Sequence, residues 1–429
     1  MQIISIYNKF KECGTVTTDT RTLKGGEMFF ALRGENFDGN EYALKALELG
    51  ARYAVVNASS QVGADCAAGA LSADVAERLV VVEDTLKTLQ ELARWHRSMT
   101  FVDGKPLVVI ALTGTNGKTT TKELVREALS AKYRVTATEG NLNNSIGVPL
   151  TLLRVNAETQ LAVVEMGASH PGDIKELVDI ALPNFGLITN VGKAHLLGFG
   201  SFEGVKATKG ELYDYLRRTA DKAFINVDNP HLCQMASERN MQHDPERAES
   251  LLIPYGLDYQ GGKVLPSSAE QPFLRIGVSF DEAVKAIEAY VPSNNRSQMT
   301  KTASNTLIVD AYNANPTSMA AALENFSNVA ASCKIAMLGD MLELGEDSLA
   351  EHMAVIKSAV SRGLSLVCFV GREFQAASVE LGPLEGSEAM FFATSDELAS
   401  YLATSPLSGA TVLIKGSRGT RMEKVIPAL

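Results

Sequence analysis

The feature that most constrains the fold is an apolar run followed by a glycine turn and an amphipathic segment. The run LVVIALTG is rich in β-branched residues and ends at Gly114. In the segment TTKELVREALSAKY that follows, Leu124, Val125, Ala128 and Leu129 share one helical face. Strand, glycine turn and helix in this order predict the βαβ unit of a parallel sheet.

The turn itself, from Thr113 to Thr120, has the composition of a phosphate-binding loop. Its glycines let backbone N–H groups point at phosphate oxygens, and the helix N-terminus adds partial positive charge. Lys118 can reach the β- and γ-phosphates, and the Thr119 hydroxyl can ligate Mg²⁺. The usual spacing is shortened, because Leu112 stands where its first glycine would be, and an ordinary strand-to-helix turn is the alternative. The predicted nucleotide-binding residues here are Gly114, Thr115, Asn116, Gly117, Lys118, Thr119 and Thr120.

The rest of the chain divides into stretches that predict an α/β protein of three domains, over 1–104, 105–295 and 296–429. The first stretch alternates the strands MFFAL and YAVV with helical spacing at Tyr42–Leu49 and Leu86–Arg97. The central stretch, a predicted P-loop ATPase domain with a parallel sheet, repeats the strand signal in LAVVEMG, FGLITNVG and KAFINVD.

The third stretch contains four apolar runs, NTLIVDAYNANP, SCKIAMLGD, LSLVCFVG and GATVLIKGS, with helical patterns between them. In each run, Asp or Gly follows the apolar residues. This pattern predicts a Rossmann-like, doubly wound domain that binds ligands at the carboxyl ends of its strands.

Charge and composition narrow the classes of function. The net charge of −10 argues against nucleic acid as the main partner, so an anionic phosphate ligand must be met by positive charge supplied locally. The five cysteines are scattered and never form C-x-x-C, which argues against a disulfide framework and a zinc site. No apolar run reaches the ~18 residues of a membrane span, and the N-terminus MQIISIYNKFKECG lacks a signal-peptide core. We therefore expect a cytoplasmic protein with no membrane partner.

The loop T-G-T-N-G-K-T-T-T-K-E resembles the ATP loop of the Mur ligase family, and matching motifs follow along nearly the whole chain in the same order. Near the start, D-T-R, G-G-E-M-F-F-A-L and F-D-G-N resemble the family's uridine-nucleotide-binding domain. The family usually has Ser at the position of Thr20 and His at that of Asn40. The substrate-binding residues that this likeness implies are Thr20, Arg21, Asp38 and Gly39.

The resemblance also implies a pair of Mg²⁺ sites. Glu165 and Thr119 would hold the first ion, and His195 and Lys209 the second, with Lys209 carbamylated by CO₂. A lysine ammonium cannot bind a cation, whereas the carbamate of a neutral amine offers two oxygen ligands, which Mg²⁺ prefers. Taken singly, the same residues read as a strand-end carboxylate, a loop histidine and a surface lysine. Lys118, His195 and Lys209 are the predicted catalytic residues.

The segment G-N-L-N-N-S-I-G-V-P resembles the part of the family that faces the UDP-sugar. Uncharged amides suit a pyrophosphate or a sugar, which makes Asn141, Asn143 and Asn144 predicted substrate-binding residues. A polar turn is the alternative interpretation of these asparagines.

In the third stretch, D-A-Y-N-A-N-P-T-S-M, L-G-D-M-L-E-L-G and K-G-S-R-G-T-R-M-E resemble the family branch that adds D-Ala-D-Ala. The resemblance implies that this domain closes on ATP and binds the incoming dipeptide. The implied nucleotide-binding residues are Arg296, Asp310, Tyr312, Asn315 and Pro316. The implied substrate-binding residues are Asp340, Lys415 and Arg418.

One departure concerns an element that members of the family carry before the segment resembling Gly277 to Pro292. They have a strand and a helix with a G-x-Y-N-x-x-N motif that helps to bind ATP, whereas here F-L-R-I runs directly into G-V-S. Either this chain has a true deletion, or the sequence omits residues.

Together, the motifs predict an ATP-dependent carboxylate–amine ligase of peptidoglycan precursor synthesis. Its substrates would be UDP-N-acetylmuramoyl-tripeptide and D-Ala-D-Ala, its cofactors ATP, Mg²⁺ and CO₂ as a lysine carbamate, and its expected state a monomer. The alternatives are another ligase of the superfamily, such as a folate polyglutamate ligase, a generic P-loop kinase, and a non-catalytic nucleotide-binding relative.

Overall fold

The computed structural model describes residues 2–242, 250–256, 277–291 and 298–429. The chain forms two compact units, one of residues 1–190 and 207–289 and the other of residues 191–206 and 290–429. The apparent deletion at Phe273–Ile276 and the predicted nucleotide-binding Arg296 lie outside the described residues.

The N-terminal part of the first unit is built on a parallel sheet with the strand order β1-β2-β5-β6. Its central strands are apolar and buried, and Gly50, at φ 99°, follows the second helix. The strands are β1 (Val16–Thr17), β2 (Met28–Phe30), β3 (Arg33–Gly34), β4 (Phe37–Asp38), β5 (Tyr53–Asn57), β6 (Leu79–Val82), β7 (Phe101–Val102) and β8 (Lys105–Pro106). The helices are α1 (Gln2–Cys13), α2 (Ala43–Glu48), α3 (Gln61–Ala67), α4 (Ala73–Arg78) and α5 (Thr85–Met99).

The central sheet is parallel among the described residues, with the strand order β10-β11-β9-β12-β13-β14. Strand β9 is central and feeds directly into the glycine loop and helix α6. The strands are β9 (Val108–Thr113), β10 (Val135–Ala137), β11 (Leu161–Glu165), β12 (Phe185–Ile188), β13 (Lys222–Asn226) and β14 (Leu252–Tyr255). The helices are α6 (Lys118–Ser130), α7 (Gly147–Leu153), α8 (Asp173–Ala181), α9 (Leu196–Phe199), α10 (Phe202–Thr219), α11 (Pro230–Glu238) and α12 (Phe280–Glu288).

The third sheet has the order β15-β16-β20-β17-β18-β19, and its edge strand β15 is antiparallel to β16. Two separate apolar clusters pack against it, as expected for a sheet covered on both faces. The strands are β15 (Gln298–Lys301), β16 (Thr306–Asp310), β17 (Lys334–Gly339), β18 (Leu366–Val370), β19 (Ala389–Phe392) and β20 (Thr411–Lys415). The helices are α13 (Pro316–Ser327), α14 (Ser348–Val360), α15 (Arg372–Leu381) and α16 (Ser395–Thr404).

Within the first unit, helix α5 packs against α7 and α8 of the central sheet. Arg97 of α5 is 5% exposed, and its guanidinium donates to the carbonyl oxygen of Leu182 and to Oδ1 of Asn184, both at 3.0 Å. His96 Nε2 lies 2.8 Å from the carbonyl oxygen of Val155. The end of α8 is therefore satisfied by a side chain from the N-terminal sheet region.

The α/β fold with a central P-loop sheet and a Rossmann-like C-terminal sheet confirms the predicted fold class. Every strand named in the sequence analysis is present, including the four runs of the third stretch. No helix in the described part of the chain combines the length and apolar character needed to cross a membrane.

Candidate active site

The glycine loop between β9 and α6 requires its two glycines. Gly114 has φ 143°, and a Cβ added there would lie 2.0 Å from Oγ1 of Thr189. Gly117 precedes the first residue of α6 with φ 76°, in the left-handed region that favours glycine. The loop therefore turns tightly after the carboxyl end of β9, and α6 begins directly after it with Lys118 as its first residue.

The loop is fastened to the end of the neighbouring strand β12. The Asn116 N–H donates to Oδ1 of Asn190 at 3.0 Å, and the Thr189 hydroxyl donates to the Asn116 carbonyl at 2.6 Å. The Thr115 N–H donates to the carbonyl of Asn190 at 3.0 Å. Thr189 and Asn190 were not among the predicted site residues, although two polar residues after the apolar run FGLI marked this strand end.

The ammonium of Lys118 lies within the loop. Its Nζ donates to the carbonyl oxygens of Gly114 at 2.8 Å and of Thr115 at 3.0 Å. These hydrogen bonds hold the positive charge beside the backbone N–H groups of the loop. This is the position from which a lysine can contact the phosphates of a nucleotide.

A carboxylate at the end of β11 meets the first turn of α6. Glu165 is 1% exposed, and its Oε2 accepts from the Thr119 hydroxyl at 2.9 Å. Its Oε1 accepts from Nδ2 of Asn143 at 2.8 Å, and its backbone N–H donates to Oγ1 of Thr138 at 2.9 Å. A hydroxyl and a carboxylate side by side, next to a phosphate loop, are the oxygen donors that Mg²⁺ takes. Thr119 and Glu165 therefore fit one Mg²⁺ site.

Lys209 lies on α10 and is 2% exposed. Burial lowers its pKa to about 7, and the nearby charge of Lys118 acts in the same direction, against Asp173 and Glu211. Much of this amine is therefore neutral near neutral pH, which is the form that can add CO₂. No three His, Cys, Asp or Glu side chains cluster as metal ligands in the described ranges, so a metal here would depend on other oxygen donors.

His195 belongs to the second unit, whereas Thr119, Glu165 and Lys209 belong to the first. It has φ 51° at the start of α9, and its Nδ1 contacts Oε2 of Glu343. Nearby, Lys193 Nζ lies 2.6 Å from Oε1 of Glu351. The structure thus brings three of the four predicted metal residues into one unit and holds His195 in the other by carboxylates.

The predicted uridine-binding residues lie in 3₁₀ turns and at the end of β4. Arg21 forms an ion pair with Asp19 at 2.7 Å, which holds the pKa of that carboxyl at about 2. Asp38 Oδ1 accepts from the backbone N–H of Asn40 at 2.9 Å, and Thr20 begins a 3₁₀ turn that Asp19 caps. A Cβ added at Gly39 would lie 2.6 Å from a backbone oxygen.

Asn40, which stands at the family's histidine position, is a structural residue here. It is 4% exposed, and its Oδ1 accepts the N–H of Asn57 at 2.8 Å. Its Nδ2 donates to Asp38 at 2.5 Å and to Oδ1 of Asn57 at 3.2 Å. The amide therefore joins β5 to the turn that carries Asp38 and Gly39.

The asparagines in the segment before α7 form different kinds of contact. Asn144 Oδ1 accepts the N–H groups of Ile146 at 3.2 Å and Gly147 at 2.9 Å, which shapes the start of α7. Asn143 points the other way, to Glu165. The carbonyl of Asn141 accepts the N–H of Asn143 at 2.8 Å. The segment thus combines the polar turn with a direct contact to the Glu165 carboxylate.

In the C-terminal sheet, the predicted residues meet at the carboxyl ends of β16, β17 and β20. Lys415 is 1% exposed, and its Nζ contacts Oδ2 of Asp310 at 2.6 Å. The Arg418 guanidinium lies 6.0 Å from the ring centroid of Tyr312. Ligand-binding side chains are expected at this edge of a doubly wound sheet.

Three further predicted residues of this sheet also serve helix ends. Asn315 caps α13, in which Pro316 is the first residue, and its Oδ1 accepts the N–H of Ser318 at 2.9 Å. Asp340 accepts the N–H groups of Glu373 at 3.1 Å and Phe374 at 3.0 Å at the start of α15.

Three family models match the chain. They are the Mur ligase family catalytic domain over residues 13–97, the Mur ligase middle domain over 112–245, and the Mur ligase glutamate ligase domain over 295–418. The chain belongs to the Mur ligase family, and it is an ATP-dependent ligase.

Similar proteins place it more closely within that family. UDP-N-acetylmuramoyl-tripeptide–D-alanyl-D-alanine ligase of Escherichia coli is 33% identical over 96% of this chain and 93% of its own length. The enzyme of the same name from Haemophilus influenzae is 32% identical with the same coverage. A crystal structure of MurF from Acinetobacter baumannii matches with a TM-score of 0.78 and 28% identity, over 96% of this chain and 92% of that one.

Proposed function

We propose that this protein joins D-Ala-D-Ala to UDP-N-acetylmuramoyl-tripeptide, with ATP converted to ADP and phosphate, in peptidoglycan precursor synthesis. The observation that carries the proposal is the Thr119–Glu165–Asn143 arrangement beside the phosphate loop. The likeness over 96% of the chain to ligases named for this reaction supports the choice of substrates. The domains proposed for the nucleotide-sugar, ATP and dipeptide are 1–104, 105–295 and 296–429.

In the first step, the terminal carboxylate of the tripeptide attacks the γ-phosphorus of ATP. The bond to the β-phosphate oxygen breaks, ADP leaves, and an acyl phosphate of the substrate forms. Lys118 places positive charge beside the transferring phosphoryl group, where such loose transition states need electrostatic stabilisation. Thr119 and Glu165 would hold a Mg²⁺ ion, which would neutralise charge on the phosphate oxygens.

In the second step, the amine of D-Ala-D-Ala attacks the acyl carbon and phosphate leaves. The C–N bond forms as the C–O bond to phosphate breaks, and the amine gives up a proton. His195 or a carboxylate accepts that proton. The His195–Glu343 contact supports the histidine, because a carboxylate at Nδ1 orients the ring.

A further part of the proposal is that Lys209 acts as its carbamate. A buried amine with its pKa near 7 has the neutral form that adds CO₂. The proton released in that addition goes to solvent, and the anionic product no longer repels a cation. His195 and the Lys209 carbamate are proposed to serve a second Mg²⁺, and the protein is proposed to act as a cytoplasmic monomer.

The test measures phosphate release from ATP with the UDP-tripeptide, with and without D-Ala-D-Ala. We expect release that depends on both substrates, together with a mass increase of the UDP product equal to the added dipeptide. Release with folate and glutamate instead would favour the folate ligase. Binding of the UDP-tripeptide without release would favour a non-catalytic relative.

A further inference from the structure

A buried lysine lies one helical turn beyond Lys118. Lys122 is 1% exposed, and neither the phosphate chemistry nor the metal site described above uses it. Its Nζ donates to the carbonyl oxygen of Thr138 at 2.7 Å and to Oε1 of Glu123 at 2.5 Å. Burying an ammonium group costs free energy unless its N–H donors have acceptors. The contact with the residue after β10 supplies such an acceptor.

The residue that Lys122 holds is itself a partner of the metal-site carboxylate. Thr138 is 1% exposed, and its Oγ1 accepts the backbone N–H of Glu165 at 2.9 Å. Its own N–H donates to the carbonyl of Val163 at 3.0 Å. Thr138 therefore links the ends of β10 and β11 at the residue where β11 supplies its carboxylate.

Two residues of helix α6 are thus linked by hydrogen bonds to Glu165, at the C-terminal end of β11. Thr119, in its first turn, donates to the Glu165 carboxylate. Lys122, three residues later on the same buried face, donates to the carbonyl of Thr138, whose hydroxyl accepts the backbone N–H of Glu165. The Glu123 carboxylate is the counter-charge of the Lys122 ammonium. Its second oxygen lies 3.0 Å from Nη2 of Arg126, which holds the carboxylate in place.

We propose that Lys122 is a positioning residue for the Mg²⁺ site, and that it acts through Thr138 to fix Glu165 opposite Thr119. This inference rests on the proposed ATP and Mg²⁺ chemistry. Partners in the outer shell of a metal site typically change metal affinity by about 10- to 100-fold when they are removed. Loss of Lys122 should therefore weaken the Mg²⁺-dependent part of nucleotide binding. The affinity that comes from the backbone N–H groups of the phosphate loop should remain unchanged.

The experiment measures ADP affinity of the full chain by calorimetry, in Mg²⁺ and in EDTA, and Mn²⁺ binding in the presence of ADP by electron paramagnetic resonance. We expect Lys122→Met to reduce the gain in ADP affinity from Mg²⁺ by about tenfold. Its affinity in EDTA should remain within about twofold of the wild-type value, and Mn²⁺ binding should weaken in parallel.

A matched pair tests the same link without removing a buried charge. Thr138→Val keeps the shape and loses the hydroxyl, so it should behave like Lys122→Met, whereas Thr138→Ser should retain the Mg²⁺ gain. Leu129→Ala, on the core-facing side of α6, is the control for loss of stability alone and should also retain the Mg²⁺ gain.

The inference is overturned if Lys122→Met and Thr138→Val keep the wild-type Mg²⁺ gain, or if Leu129→Ala loses as much of it as they do. A wild-type protein whose ADP affinity does not respond to Mg²⁺ would remove the proposed metal chemistry as well. The wild-type response therefore separates failure of the proposed function from failure of this inference alone.

Discussion

The side-chain amide of Asn143 donates to Oε1 of Glu165 at 2.8 Å, while the Thr119 hydroxyl occupies the other oxygen of the same carboxylate. Replacing Asn143 by Leu removes this donor and frees the carboxylate to rotate. We expect kcat for phosphate release to fall by about 10- to 100-fold. Asn156→Ala, on a surface turn, is the control and should leave the rate unchanged. A wild-type rate in Asn143→Leu would contradict the positioning role of this amide.

Lys118→Met should remove the charge beside the transferring phosphoryl group. We expect phosphate release to fall by at least about 100-fold, because a preorganised donor at a developing charge is worth that much. Steady-state kinetics with both substrates would measure the loss. Lys175→Met, whose side chain is 66% exposed, is the matched control. An unchanged rate in Lys118→Met would exclude the phosphate role.

Lys209→Ala tests the carbamate by chemical rescue. We expect activity to be lost and then partly restored by formate, acetate or propionate, because a small carboxylate can supply the oxygens of the missing carbamate. Initial rates over a range of carboxylate concentrations would measure the rescue. Full activity of Lys209→Ala without any added carboxylate would rule the carbamate out.

The buried amine of Lys209 also predicts a pH dependence of stability. Its pKa is lowered from 10.5 to about 7, so between these values the unfolded chain holds a proton that the folded chain has released. The free energy of unfolding due to this lysine therefore rises with pH across that window. Urea unfolding in carbonate-free buffer should show wild type gaining stability relative to Lys209→Met between about pH 7 and pH 10. Parallel curves would show that the amine is not shifted in this way.

Asp340→Ala should destabilise the C-terminal sheet, because two N–H groups at the start of α15 lose their acceptor. We expect the free energy of unfolding to fall by about 1–3 kcal/mol, measured by urea denaturation. Asp396→Ala removes an exposed ion pair with Lys424 and should change it by no more than about 0.5 kcal/mol. Equal effects of the two variants would argue that the Asp340 cap carries no special weight.

The strands and the phosphate loop could be predicted because their signals are local. The run LVVIALTG becomes β9, and the helical face of Leu124 to Leu129 becomes α6, since periodicity and glycine placement act within a few residues. The partners of the metal-site carboxylate could not be predicted in this way. Asn143 and Thr138 reach Glu165 across 22 and 27 positions, and the Thr138 contact depends on the register of β10 beside β11.

The contacts of two other residues could not be predicted from the sequence either. The motif around His195 identifies the residue, but its attachment to the second unit depends on Glu343, far along the chain. Lys122 reads as part of an amphipathic helix, and only the packed structure shows that its ammonium is buried against β10. A charged residue within a helical pattern gives no sign of burial until the neighbouring strands are placed.

The contact of Arg97 with the end of α8 has a consequence for fragments of this protein. A piece that ends near residue 104 would expose the face of α5 that packs on α7 and α8. In the remaining chain, the carbonyl of Leu182 and the side-chain amide of Asn184 would lose the Arg97 donor. The N-terminal sheet and the central sheet are therefore expected to melt in one transition. Limited proteolysis in the hairpin of β7 and β8 would then nick the chain without releasing a separately folded nucleotide-sugar module.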